Sequence, residues 1–277
     1  MSTCSVSCHL PLLIILVNSG FANSKGVDFS NRVKLAYHIK PIILLRSFVF
    51  HGYTQRSAYG KQPPRRRENG MTGIKICGIT RERDVHAISG MGVQVVGIVF
   101  TESPRRVLMG EARELVAVTK RIHPNAPDVW GVFAREPVEM ISEYVDFLGL
   151  DAVQLHGDFY TDTDVAAVKD VAVVRGLSFR GEADIPAAAD AIRNGARYVL
   201  LDAPAPKAGP PGGTGRMTDW AAAADVAKRL PTVLSGGLTY RNVAQAIRAV
   251  RPAMVDVSSG VEMAPGIKDA GGHFHAA

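Results

Sequence analysis

The 277-residue sequence holds only three cysteines, Cys4, Cys8 and Cys77, and two tryptophans. So few thiols cannot staple a fold, which excludes a disulfide scaffold and points to a reducing compartment. Cys4 and Cys8 with His9 lack the fourth ligand of a structural metal site. Long apolar runs are missing too, and none approaches the roughly 20 residues that a membrane helix needs. The run from Leu10 to Val17 has the length of a signal-peptide core, but no Lys or Arg precedes it and no clear A-x-A site follows. Acids are scarce in the first 70 residues, which carry 10 Lys and Arg against Asp28 and Glu68 alone. The remaining residues hold 22 basic and 24 acidic side chains. The net charge of +6 therefore belongs to the N-terminal stretch, and the rest gives no electrostatic reason to expect nucleic acid.

Residues 1–70 show no sustained period, and Gln62–Arg67 reads as a basic linker. They are expected to be an irregular N-terminal extension, disordered or foreign to the working protein and dispensable for it. Met71 stands just before the first convincing strand. The expected location is the cytoplasm. The alternative is an organelle, if the acid-poor extension is a transit segment.

From residue 73 short apolar runs alternate with longer amphipathic stretches. Strands are expected at Ile74–Cys77, Val93–Phe100, Val129–Phe133, Ala152–His156, Val171–Leu177, Tyr198–Asp202, Thr232–Ser235 and Met254–Ser258. Helical stretches between them include Glu111–Ile122, Val138–Leu148, Ile185–Asn194, Trp220–Leu230 and Val243–Val250. Apolar runs of four to eight, bounded by Gly, Pro or Asp, are the mark of buried parallel strands. Strict alternation implies right-handed βαβ units, and eight of them close most naturally into a (β/α)8 TIM barrel. A doubly wound sheet is less favoured, because no G-x-G-x-x-G turn follows the first strand. The barrel domain is expected to span residues 71–277.

A barrel carries its chemistry at the C-terminal ends of its strands. Cys77 ends the first strand and is a candidate base or nucleophile, its thiol lowered where a cation lies near. Lys75, two residues earlier, shares its face, so both should point inward. Asp202 ends strand six behind four apolar residues, a setting that suits a general acid. Arg105, in the loop after strand two, is placed to clamp a carboxylate. Gln154 and His156 alternate on strand four and should share the interior. Asp256 should face inward on strand eight, where pairing with Lys75 is as plausible as contact with substrate. Three small-residue clusters fall late: Gly212–Gly215, Ser235–Gly237 and Ser258–Gly260. Their glycines let backbone N–H groups approach an anion, and barrels of this kind bind phosphate after strands seven and eight. Gly213, Gly215, Gly236, Gly237, Ser258 and Ser259 are the candidates.

Together these segments resemble the phosphoribosylanthranilate isomerase family. The resemblance rests on Lys75-Ile-Cys-Gly-Ile-Thr80, Ser103-Pro-Arg105, Val153-Gln-Leu-His-Gly157 and Leu200-Leu-Asp202. It continues through Gly212–Gly215, Asp219-Trp220, Leu234–Leu238, Asn242-Val243, Val255–Glu262 and Pro265-Gly-Ile-Lys-Asp269. It implies an Amadori rearrangement of N-(5-phosphoribosyl)anthranilate in L-tryptophan biosynthesis. Asp202 would then be the general acid and Cys77 the general base. Arg105 would lie near the anthranilate carboxylate, with the late loops around the phosphate. No cofactor or metal is called for, since the substrate's iminium is the electron sink. The expected partner is a small phosphorylated substrate, without nucleic acid or membrane, bound by a monomer or homodimer.

The resemblance also implies a full eighth helix. After Asp269 the sequence reads Ala-Gly-Gly-His-Phe-His-Ala-Ala, and two adjacent glycines oppose a helix by roughly 2 kcal/mol relative to alanine. The last helix is therefore expected to be truncated or missing. One alternative function is a non-catalytic sugar-phosphate-binding barrel. Another is a related isomerase of histidine biosynthesis. That chemistry typically uses two aspartates, so Cys77 argues against it.

Overall fold

The computed structural model describes residues 71–122, 126–204 and 217–269, all within one compact unit, residues 61–277. The expectations for residues 1–70, for Gly213 and Gly215 and for the residues after Asp269 lie outside the described residues. Eight parallel strands close into a barrel in chain order. They are β1 (Gly73–Cys77), β2 (Val95–Val99), β3 (Asp128–Phe133), β4 (Ala152–His156), β5 (Ala172–Ser178), β6 (Tyr198–Asp202), β7 (Thr232–Leu234) and β8 (Met254–Val257). Every strand expected from the sequence is present, with ends that agree or shift by at most two residues.

Among the described residues seven α-helices join the strands: α1 (Glu82–Ile88), α2 (Met109–Arg121), α3 (Val138–Leu148), α4 (Asp162–Ala167), α5 (Ile185–Arg193), α6 (Trp220–Ala227) and α7 (Val243–Val250). All but the six-residue α4, which buries Val165 alone, turn an apolar stripe onto the barrel wall. In α3 the buried residues are Ile141 and Leu148, a spacing of two helical turns, and Gly149 ends the helix in the left-handed region at φ +64°. Among the described residues no helix follows β8. A short antiparallel hairpin does so instead, β9 (Glu262–Ala264) with β10 (Ile267–Lys268).

The outer face of the barrel and the helices share one core, built on residues such as Ile98, Phe133, Leu155 and Leu201. Fully burying such a side chain contributes roughly 1.5–3 kcal/mol. The barrel interior is a separate stack. Its floor is Val95, Trp130, Val174, Tyr198, Leu200, Val233 and Met254, with the Trp130 and Tyr198 ring centroids 6.0 Å apart. Above the floor the interior turns polar, with Lys75, Gln154 and Asp256 all buried. The register sets this gradient. Lys75 pairs with Asp256 across the closing seam of β1 and β8, so side chains from one layer meet ion to ion.

Candidate active site

The C-terminal end of the barrel opens into a cleft between the strand ends and the loops after them. Its lining includes Cys77, Arg105, Gln154, His156, Asp202, Gly236, Gly237, Asp256, Ser258 and Ser259. Every site residue expected from the sequence and lying among the described residues is therefore in one place.

Cys77 ends β1 and is buried. Burial pushes its thiol above the ordinary value; Lys75 draws it back, Asp256 adds to the rise and Lys268 opposes it. The expectation of a lowered thiol needs correcting: the cations are there, but loss of water outweighs them. Lys75 responds the other way. Burial alone would lower it, but Asp256 and Cys77 outweigh burial and hold the ammonium above its ordinary value. Lys75 Nζ lies 2.9 Å from Asp256 Oδ2, the pairing that the strand pattern allowed.

Asp202 ends β6 on the facing side. Its Oδ1 accepts from the Ala203 N–H at 2.9 Å, and its Oδ2 lies 3.4 Å from His156 Nε2. Gln154 Nε2 lies 3.2 Å from His156 Nδ1. An amide N–H donating there leaves the imidazole proton on Nε2, directed at Asp202. The sequence offered His156 as a lone histidine; its partner comes from another strand and has no local signal.

Arg105 is engaged by the protein's own carboxylate. Its Nε donates to Glu262 Oε1 at 2.9 Å and its Nη2 to Glu262 Oε2 at 2.7 Å. Lys268 Nζ donates to Glu262 Oε1 at 2.7 Å, to the Cys77 carbonyl at 2.5 Å and to the Ser258 carbonyl at 3.2 Å. Burial pushes the Glu262 carboxyl up, but Arg105 and Lys268 outweigh it and hold it below the ordinary range. Glu262 and Lys268 belong to the motifs that carried the resemblance, yet nothing local marked them as neighbours of Cys77 and Arg105. The hairpin brings them there.

The loops after β7 and β8 meet in a bridge between Thr239 and Gly260. Gly236 and Gly237 have φ of +86° and +64°, a region that favours glycine. A Cβ at Gly236 would fall 2.5 Å from the Ala203 nitrogen, so no other residue fits. Ser258 Oγ donates to the Cys77 carbonyl at 3.1 Å, while Ser259 lines the cleft beside it. Among the described residues no group of three or more His, Cys, Asp or Glu is placed to hold a metal ion.

The barrel that carries this cleft is similar to a group of known proteins. The family model for N-(5'-phosphoribosyl)anthranilate (PRA) isomerase matches residues 74–271. This chain belongs to that family. An N-(5'-phosphoribosyl)anthranilate isomerase from Pelobacter propionicus is 42% identical over 202 residues, covering 72% of this chain and 91% of that one. One from Caldanaerobacter subterraneus is 39% identical, covering 72% and 93%. Among solved structures, the phosphoribosylanthranilate isomerase of Thermotoga maritima superposes with a TM-score of 0.63 at 35% identity, covering 72% of this chain and 94% of that one. A phosphoribosylanthranilate isomerase structure solved with reduced 1-(o-carboxyphenylamino)-1-deoxyribulose 5-phosphate gives 0.61 at 33% identity, covering 72% and 93%.

Proposed function

We propose that this chain converts N-(5-phosphoribosyl)anthranilate into 1-(2-carboxyphenylamino)-1-deoxyribulose 5-phosphate, an Amadori rearrangement of L-tryptophan biosynthesis. The observation that carries this reading is the convergence of Cys77 and Asp202, from β1 and β6, on one cleft in a chain of the isomerase family. Asp202 donates a proton to the furanose ring oxygen. The C1–O bond breaks, and the nitrogen lone pair closes a C1=N iminium. The Cys77 thiolate then takes the C2 proton. The C–H pair becomes the C1=C2 bond, and the iminium pair returns to nitrogen. The enolamine loses its O–H proton and gains one at C1, which gives the ketone. The substrate's own iminium is the electron sink, so the chemistry calls for no cofactor.

Binding is assigned to the rim. Arg105 faces the anthranilate carboxylate, its guanidinium held flat by Glu262. Gly236, Gly237, Ser258 and Ser259, with Gly213 and Gly215, hold the phosphate through backbone donors. Gln154 and His156 orient Asp202, and Asp256 acts through Lys75. A cytoplasmic setting goes with this reading, since the base is a thiol that must stay reduced. The chain works as a monomer or homodimer, which sedimentation distinguishes. The deciding experiment follows the fluorescence of freshly generated phosphoribosylanthranilate in a coupled assay with the purified chain. Turnover supports the isomerase; tight binding without turnover replaces it with the non-catalytic barrel.

A further inference from the structure

We propose that Lys75 is the counter-ion of the Cys77 thiolate, a positioning residue whose single charge is shared between Cys77 and Asp256. The proposal rests on Cys77 being the base in the reaction above, and deepens it by naming what lets a buried thiol ionise.

Lys75 and Cys77 are two residues apart on β1 and face the same interior. Gly97 on β2 is the register partner of Cys77, and its missing side chain leaves room for both. A Cβ at Gly97 would fall 2.8 Å from Cys77 Sγ and 3.2 Å from Lys75 Cε. The ammonium therefore reaches past a bare stretch of β2, with no side chain of that strand between it and the thiol. Beneath it the Trp130 ring closes the floor, its centroid 5.9 Å from Nζ. Lys75 is fully buried, so water does not screen its charge. Asp256 Oδ2 takes one of its three donors at 2.9 Å, while Asp256 Oδ1 is buried without a hydrogen-bond partner.

The charges around the thiol leave room for one more anion. Facing Cys77 are Lys75 from β1, Asp256 from β8, Lys268 from β10 and Arg105 from the loop after β2. Glu262 binds both Lys268 and Arg105. Three cations thus meet two carboxylates, and a thiolate on Cys77 balances the set. A purely structural Lys75–Asp256 pair would keep the barrel closed but would not set the protonation of Cys77.

The test titrates Cys77 itself, without substrate, in a chain with Cys4 and Cys8 replaced by Ser. Thiolate absorbance and the rate of alkylation by iodoacetamide are followed against pH. Lys75→Met is expected to raise the midpoint by about 1–3 units, the effect of losing an opposite charge at close range. Asp256→Asn is expected to lower it, because the ammonium then serves the thiolate alone. If Lys75→Met fails to fold around the orphaned Asp256, the Lys75→Met/Asp256→Leu pair removes the ion pair as a unit, and its midpoint should also rise. In active variants the ascending limb of kcat/KM should move with the thiol. An unchanged midpoint in a folded Lys75 variant, or a rise in Asp256→Asn, overturns the proposal. A parent that shows these shifts but no turnover overturns the isomerase reading instead.

Discussion

His156 Nε2 stands 3.4 Å from Asp202 Oδ2, although β5 runs between their strands. Gly176 makes the approach possible, since a Cβ there would fall 2.6 Å from His156 Nδ1. The imidazole lies over this bare position and reaches the carboxylate beyond it. Gly176→Ala should therefore push the ring off Asp202. A hydrogen bond to a charged group is worth about 1.5–3 kcal/mol, so kcat should fall by roughly 10–100-fold while the melting temperature changes little. A kcat equal to the parent's would show that His156 does not serve Asp202.

Removing either candidate acid–base group should spare binding. Cys77→Ala and Asp202→Asn are each expected to lower kcat by about 10²–10⁴-fold. KM should stay near the parent value, because the phosphate and carboxylate anchors lie elsewhere on the rim. Steady-state kinetics at saturating substrate decide this. A near-normal kcat in Cys77→Ala removes the assigned base.

The pH dependence has a definite sign. Burial holds the Cys77 thiol above its ordinary value, and the base works only when deprotonated. Activity should rise with pH along a limb set by this thiol. Cys77→Asp puts a far stronger acid at the same position, so the limb should move several units toward acid in whatever activity remains. A limb that stays in place belongs to another group.

Glu262 should be worth more to stability than an ordinary surface acid. Its side chain is 4% exposed and it neutralises two cations. Breaking a buried pair typically costs about 3–5 kcal/mol, and Glu262→Gln is expected to lose stability on that scale at neutral pH. A carboxyl held below its unfolded value stabilises above the ordinary carboxylate range and loses this as pH falls through the folded value. Thermal melts of Glu262→Gln should accordingly fall less steeply with acid than those of the parent. Parallel curves would mean that Glu262 does not carry this dependence.

The phosphate reading is checked at Gly237, whose φ of +64° a β-branched residue rarely adopts. Gly237→Val should raise KM strongly and weaken inhibition by inorganic phosphate in proportion. If KM holds while the fold is intact, the phosphate sits elsewhere.

The barrel was legible because a parallel strand buried on both faces is an apolar run, and Val95–Val99 or Tyr198–Leu201 cannot be anything exposed. Short helices were less legible. In α1 no side chain caps the N-terminus, and α4 spans only Asp162–Ala167, too brief to show a period. The β9–β10 hairpin was hidden for a different reason. Met263 and Ile267 are exposed, so its apolar residues do not mark a buried face. Cys77, Asp202 and the glycine loops were found by their place at strand ends. The pairings of Asp202 with His156 and of Arg105 with Glu262 were not, because each joins positions with no sequence pattern in common. Lys75 with Asp256 was foreseeable only once the eight strands were closed in order.

The hairpin also dictates when activity can appear. Lys268 ties the Cys77 carbonyl, 191 positions earlier, to the Ser258 carbonyl at the far edge of the seam. Contacts so distant in sequence are among the slowest to form, because the chain between them must be ordered first. On the ribosome the first strand waits for nearly the whole barrel to be made. The thiol side of the cleft is then completed last, by a few residues that follow every strand of the barrel, and a chain cut before Lys268 would keep the sequence of all eight strands but lack the tie that finishes the site.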